Sequence, residues 1–375
     1  MVVMALDHTR DFFHRDALVF DPTNLERTHA LLFLTRWVTH YCMPGFVLLA
    51  GLSIALALQR KCKKELGWYL LSRGLWFILL DVTVMRFAYL FNFYYDVTFL
   101  SVLWLFGICM VLMSGLIYLP RTFLLVAGLI TVLLHNLSAL VSTAAGIPLA
   151  AWWTILFGTG FLKLSPEVSL VVTYPVIPWL GVMLLGFSLG NWFSPTVSLA
   201  KRTRYLVTAG LAAVVLFVAW RVVNQWGDPA AWAPQSNVTF TLLSFLNTSK
   251  YPPSPLFLLM TLGPLLLLLA WLEQRPAPGQ RVLTYFGRVP LFYFIVHFYL
   301  IHALALISYL INSGLAWHAL DFHFAKSLGG ITPEGGIGLA GVYVWWALIV
   351  VAMYFLCRWY ANIKRQGASS WWRFL

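Results

Sequence analysis

The chain has 375 residues, 61% of them hydrophobic and only 10% charged, with a mean hydropathy of +0.80 and a formal net charge of +12. A soluble domain has about a quarter of its residues charged, so these few charges exclude a water-covered globule of this size and leave a multi-span membrane protein. The basic excess is read as short loops on one membrane face rather than as a nucleic-acid footprint.

The rings agree: 18 Trp, 16 Tyr and 28 Phe suit the bilayer interface, where amphipathic rings settle. Cys42, Cys62, Cys109 and Cys357 lie in or beside apolar segments without CxxC spacing, which argues against a disulfide framework and a zinc site.

A spanning helix needs about 20 mostly apolar residues. Such segments lie near 30–58, 68–91, 98–118, 121–142, 171–192, 205–223, 255–273, 283–312 and 339–361, separated by Pro, Gly or clustered charge. The expected architecture is all-α: a polytopic transmembrane helical bundle of nine or ten spans, forming one membrane domain over residues 1–375. Residues 1–6 are apolar but too short to cross, so either the chain starts on the outer side or half of a first span lies upstream. Residues 150–163, AAWWTILFGTGFLK, fit an interfacial or re-entrant piece better than a span.

Orientation follows from charge. If the loop holding Arg60, Lys61, Lys63 and Lys64 is cytoplasmic, alternation places Lys201, Arg202, Arg204, Arg275, Arg281 and the basic tail there too. With Arg73, Arg121 and Arg288 near that face, 16 of the 25 Lys and Arg are cytoplasmic. The C-terminus is then cytoplasmic. The long loops 7–29, 143–170, 224–254 and 313–338 face outward, where long loops often carry function.

The first candidate site is MALDHTRDFFH, residues 4–14, in which an apolar run ends in Asp7 and His8. An imidazole here could act as general base or acyl carrier beside a carboxylate. Alternatively, both residues mark a helix end among the headgroups. Arg36 and His40 follow at i and i+4, on one helix face at the outer end of the next segment. Pro44, Gly45 and Gly51 allow a kink and close helix approach there. NTSKYPPSPL, residues 247–256, offers the Lys250 ammonium and the Tyr251 phenol, or simply a turn in an aromatic belt. In YFGRVPLFYFIVHFYLIHALA, residues 285–305, Arg288 is near the inner face, His297 deeper and His302 nearer the outside. Asp81 with Arg86, and His135 with Asn136, are read as structural polar groups. Asn237 and Asn247 head N-x-[ST] triplets.

Together, MALDHTRDFF, TRWVTHYCMPGFVLLAG, YPVIPWLGVMLLG, KYPPSPLFLLMTLGP and FGRVPLFYFIVHFYLIH resemble the bacterial DUF1624 branch of the heparan-alpha-glucosaminide N-acetyltransferase-like family of integral membrane acyltransferases. The resemblance runs from residue 1 to about residue 305. It lacks the Arg-Gly block that family members carry ahead of the Asp-His. It implies transfer of an acyl group, acetyl foremost, from cytoplasmic acetyl-CoA or another acyl-CoA to an amine or hydroxyl of an extracytoplasmic sugar or envelope glycan. A histidine of the first non-cytosolic region is implicated. His8 stands where the lysosomal member has an asparagine, and that member's histidine lies further along, which makes His14 and His29 loop candidates.

The resulting expectation has His8 as base or acyl carrier and Asp7 as its orienter. Arg36 and His40 polarise the thioester carbonyl, with Arg36 as oxyanion donor. Arg288 and His297 serve the CoA donor, and Arg10, Lys250 and Tyr251 the acceptor. No metal and no nucleic acid are expected. The partners are the lipid bilayer and a glycan or amino-sugar acceptor, with a homo-oligomer left open, in a bacterial inner (plasma) membrane. The rival reading is a multi-span transporter or channel without covalent chemistry, which intramembrane polar residues and broken helices also suit. A structural subunit is a third reading.

Overall fold

Apolar runs bounded by Pro, Gly and charge become helices throughout the computed structural model, which describes residues 1–138, 151–275, 279–314, 317 and 320–366. In chain order these are α1 (Val2–Phe13), α2 (Ala30–Thr39), α3 (Cys42–Leu58), α4 (Lys63–Leu80) and α5 (Arg86–Leu90). Strand β1 (Val97–Leu100), α6 (Val102–Leu116), α7 (Arg121–Leu134), α8 (Ala151–Phe157), β2 (Gly160–Lys163) and β3 (Ser169–Val172) follow. The rest are α9 (Val176–Leu189), α10 (Leu199–Val223), α11 (Val238–Leu246), α12 (Pro255–Gln274), α13 (Gln280–Arg288), α14 (Pro290–Ser313) and α15 (Leu339–Arg365).

The protein is an all-α polytopic bundle, with one small sheet among the described residues. Among the described residues, five stretches are long and apolar enough to cross a membrane: Ala30–Leu58 (α2 with α3), α10, α12, α14 and α15. Helices α6, α7 and α9 are apolar but shorter. The expected segment 68–91 is α4, a π-helical turn at Asp81–Met85, and α5.

The observed elements differ from the expected segments in kind or bounds at several places. Segment 98–118 does not begin as a helix. Its first residues form β1, which runs parallel to β3 with Val97 opposite Ser169 and Leu100 opposite Val172; β2 lies antiparallel on the other side of β3. A short apolar run reads alike as strand or helix. The fourth segment ends as a helix at Leu134, and its residues 139–142 lie outside the described residues. Of 150–163, residue 150 also lies outside, and the rest is the short helix α8 followed by β2. The helix of 283–312 starts afresh at Pro290, where proline suits a first turn.

The chain forms two compact units. The first comprises Met1–Cys42, Val84–Tyr95 and Pro276–Leu375. Here α1 is gripped by α14 and α15: the Trp346 indole donates to the Val2 carbonyl at 2.9 Å, and Phe12 meets Phe298 edge-on at 5.4 Å. Thr35 and Tyr343 share a 2.7 Å hydroxyl hydrogen bond between α2 and α15. Buried Arg86 donates to the Asn92 side chain at 2.6 Å. His302 is fully buried, with Nδ1 2.6 Å from the Ala88 carbonyl and Nε2 2.9 Å from that of Gly329. A neutral imidazole donates to one of these carbonyls, which ties the ring to the backbone.

The second unit comprises Met43–Thr83 and Asp96–Arg275. Asp81 accepts from the Ser101 N–H at 2.8 Å and its hydroxyl at 2.6 Å, capping the start of α6. Asp81 and Arg86, expected as a pair, therefore each have partners of their own. His135 lies between the carbonyls of Thr131 (Nδ1 at 2.8 Å) and Pro253 (Nε2 at 2.6 Å) and donates to one of them when neutral. Arg221 donates to the carbonyls of Phe245, Ala230, Ser244 and Asn247 at 2.8–3.1 Å, tying loop 224–254 to α10.

Close approach of α3 and α9 depends on glycine. A Cβ on Gly51 would lie 2.0 Å from the Met183 carbonyl oxygen, and one on Gly186 would lie 2.0 Å from that of Leu48. Neither neighbour can yield, because both are helix backbone. Gly51→Ala is therefore expected to destabilise the detergent-solubilised protein by about 1–3 kcal/mol or more. Gly115→Ala is the control, since no atom lies within 4 Å of the added Cβ. Equal thermal melting of the two variants would refute this packing.

Candidate functional site

The sequence Asp7-His8-Thr9-Arg10-Asp11 lies on one helix, so residues three or four apart share a face. Asp7 and Arg10 form one such pair, with Nη2 2.9 Å from the Asp7 carboxylate. From α2, Arg36 Nη1 donates to both Asp7 oxygens at 2.7 Å, and the Thr39 hydroxyl donates at 2.8 Å. Arg10 also bonds Asp11. Asp7, Arg10 and Arg36 are all buried. Asp7 and half-exposed Asp11 thus balance the two buried guanidiniums, as buried charge requires.

His8 points to a different side of α1. Its Nδ1 lies 3.8 Å from Asp11, and its side chain is 17% exposed. Its ring centroid lies 5.4 Å from that of His297 and 4.8 Å from that of Phe298, both on α14. His297 is fully buried. Its Nδ1 donates to the Tyr293 carbonyl at 2.7 Å, which leaves the Nε2 lone pair without a hydrogen-bond partner among the described residues. Two imidazoles therefore face each other in apolar surroundings, one with its tautomer fixed by the backbone and the other partly open.

The sequence candidates are distributed as follows. Asp7, Arg10 and Arg36 converge, whereas His8 lies on another side of α1 and meets His297. The carboxylate nearest the His8 ring is Asp11, whereas Asp7 anchors Arg36. His40 is buried at the C-terminal cap of α2, one residue after Thr39. Arg288 is exposed at the end of α13, with its guanidinium 5.7 Å from the Tyr285 ring. In the second unit, Lys250 is buried with Nζ 5.0 Å from the Tyr251 ring, and the Tyr251 hydroxyl lies 3.3 Å from that of Tyr174. Thr39 and Asp11 were not singled out as site residues from sequence. Spacing held a clue for Asp11, at i+3 from His8 and i+4 from Asp7.

The profile of the catalytic family described as heparan-alpha-glucosaminide N-acetyltransferase, catalytic, matches residues 12–217, more than half of the chain. The chain belongs to this family. It is thus a multi-pass membrane protein of an acetyltransferase-type enzyme family. No curated protein and no solved structure matches the chain. The family match covers Arg36 and His40, begins after Asp7 and His8, and ends before Lys250, Arg288 and His297.

The loop candidates His14 and His29 lie just beyond this cluster. His14 ends α1, where Arg15 and Phe13 exchange backbone hydrogen bonds with Ile337 at 3.0 and 2.8 Å. His29 caps α2 by accepting the Leu32 N–H at 3.4 Å. Burial, above all, pushes the His14 imidazole below its ordinary value of 6.5. As pH falls through that value, the unfolded chain takes up a proton that folded His14 refuses. The stability associated with His14 is therefore complete above pH 6.5 and is lost on acidification. Wild type is expected to melt at lower temperature at acid pH than at neutral pH, and His14→Gln to reduce that loss. An unchanged pH dependence in His14→Gln would refute this role.

Proposed function

We propose that the protein transfers an acyl group, acetyl foremost, from cytoplasmic acyl-CoA to an amine or hydroxyl of an extracytoplasmic sugar or envelope glycan in a bacterial inner membrane. Membership of the acetyltransferase family carries this reading. His8 is the base: partly exposed, beside buried His297, and with Asp11 near Nδ1. As the acceptor nitrogen or oxygen attacks the thioester carbonyl carbon, His8 takes its proton. The carbon–sulfur bond then breaks, and the CoA thiolate leaves with the proton returned by His8.

In this reading the Asp7–Arg36–Thr39 cluster holds α1 against α2 and so fixes His8. Arg36 supplies positive field toward the oxyanion from its place on Asp7. Arg10, with Nε and Nη1 buried and without partners among the described residues, is a donor for an acceptor oxygen. Lys250 and Tyr251 are the acceptor-side candidates of the second unit. Arg288 is exposed for the CoA phosphates, where a guanidinium gives paired hydrogen bonds. From Pro290 to His297 the helix rises about 10 Å, a reach for the pantetheine arm.

Purified protein in detergent, given radiolabelled acetyl-CoA and a panel of amino sugars, tests this. The expected result is saturable CoA binding, weakened by Arg288→Ala, and labelled sugar in the wild type. Failure to bind CoA at any concentration reached would overturn the enzyme reading and favour transport.

A further inference from the structure

A different set of residues forms a cavity within the second unit. A cavity of about 440 Å³ opens between α7, α9, α10 and α12, a size typical of ligand pockets. Its walls are Leu and Ala side chains, among them Leu125, Leu129, Leu133, Ala212, Leu216 and Leu262. The polar groups cluster toward one mouth: Arg121 and Thr122 begin α7, and Ser188 and Asn191 lie at the end of α9, beside Trp192.

Arg121 donates to the Asn191 side chain and lies 5.5 Å from the Phe187 ring, with no carboxylate partner among the described residues. More cations gather at this end. Lys63 reaches the Tyr118 carbonyl at 3.5 Å. Trp192 packs on Tyr205 at 5.5 Å, which brings the start of α10 with Lys201, Arg202 and Arg204 close by. Among the described residues, Arg202 alone of these has a carboxylate partner, Glu273, at 2.6 Å. From Arg121 to Leu133 the groove follows α7 for about 18 Å, close to the depth of one leaflet in a hydrocarbon core of about 30 Å.

From this combination we infer that the groove is a lipid site: it takes one acyl chain of an anionic glycerophospholipid, whose phosphate is held by Arg121. An apolar slot one leaflet deep matches the chain. An uncompensated guanidinium within a basic rim matches the phosphate, and basic pockets between spanning helices favour anionic headgroups. A zwitterionic lipid would satisfy the slot but not the rim. Acyl-CoA brings phosphates too, but the Leu and Ala walls offer its nucleotide few polar partners.

The test uses the full-length protein in detergent with phosphatidylglycerol carrying a photoreactive diazirine on one acyl chain, and phosphatidylcholine carrying the same chain. Labelled peptides are mapped by mass spectrometry. Wild type is expected to be labelled on α7 and α10, about fivefold more by phosphatidylglycerol, the equivalent of one cation near an anionic surface. Arg121→Ala should equalise the two lipids on the same peptides, and Arg121→Lys should keep the preference. Ala212→Trp should fill the slot and abolish labelling there while the protein still elutes as a single species. Equal labelling of wild type by both lipids overturns the phosphate assignment. Label scattered over all lipid-facing helices, or unchanged in Ala212→Trp, overturns the site. Displacement by acyl-CoA but not by unlabelled phosphatidylglycerol overturns the lipid as occupant.

Discussion

Asp7→Ala is expected to cost about 3–5 kcal/mol of stability, the usual result of removing one partner from a buried ion pair. The reason is geometric. Asp7 accepts from Arg36 at 2.7 Å, Thr39 at 2.8 Å and Arg10 at 2.9 Å, and both guanidiniums are buried. Without the carboxylate, two cations remain in a site with one acid, Asp11, whose side chain is 41% exposed. Arg36→Ala should cost less, because Arg10 still neutralises Asp7. In a double-mutant cycle, Asp7→Ala with Arg36→Ala should be less harmful than the sum of the two, since the second change removes a cation stranded by the first. The measurement is thermal or denaturant unfolding in detergent, followed by the intrinsic fluorescence of the tryptophans. Strict additivity would show that Asp7 and Arg36 do not act as a pair, and a wild-type melt for Asp7→Ala would show that the cluster is not buried in solution.

How much of this cluster was legible beforehand follows from the reach of spacing. Asp7 and Arg10 lie on one helix, and periodicity alone places them three apart on one face. Arg36 and Thr39 come from the neighbouring element, where spacing and position at the segment's end suggested Arg36 and His40 but not Thr39. His297 is different. It meets His8 across nearly the whole length of the chain, and an apolar helix with no amphipathic stripe does not announce which face meets which neighbour. The same limit explains the strand: Val97–Leu100 lies within a continuous apolar run, and only its pairing with Ser169–Val172 distinguishes it from the first turn of a helix. The bundle itself was legible because composition alone rules out a water-covered surface. The lengths of its helices were less so, because Pro290, the π-helical turn at Asp81–Met85 and the cap at His40 divide runs that hydropathy joins.

His8→Ala is expected to lower the rate of acetyl transfer by about 10²–10⁴-fold, the range for loss of a general base, while the protein melts as wild type does. The two halves of that expectation have separate causes. Among the described residues, the polar neighbour of His8 is Asp11 of its own helix at 3.8 Å, and its other neighbours are the rings of His297 and Phe298. Truncation therefore removes a partly exposed ring and little of the core. His297 is the contrasting case. It is fully buried and bonded to the Tyr293 carbonyl, so His297→Ala should lower both stability and rate, whereas His297→Gln can still donate to that carbonyl and should restore stability first. If His297 acts through His8, His297→Gln should displace the acid limb of the pH–rate profile, which a purely structural role would leave in place. The choice between base and acyl carrier is made with labelled acetyl-CoA in the absence of acceptor. An acyl-imidazole would leave label on wild type and none on His8→Ala, whereas a base would leave none on either. Restoration of the His8→Ala rate by added imidazole would place the missing chemistry at this ring. Full activity in a folded His8→Ala protein would remove His8 from the mechanism and turn attention to His14 and His29, the histidines between α1 and α2.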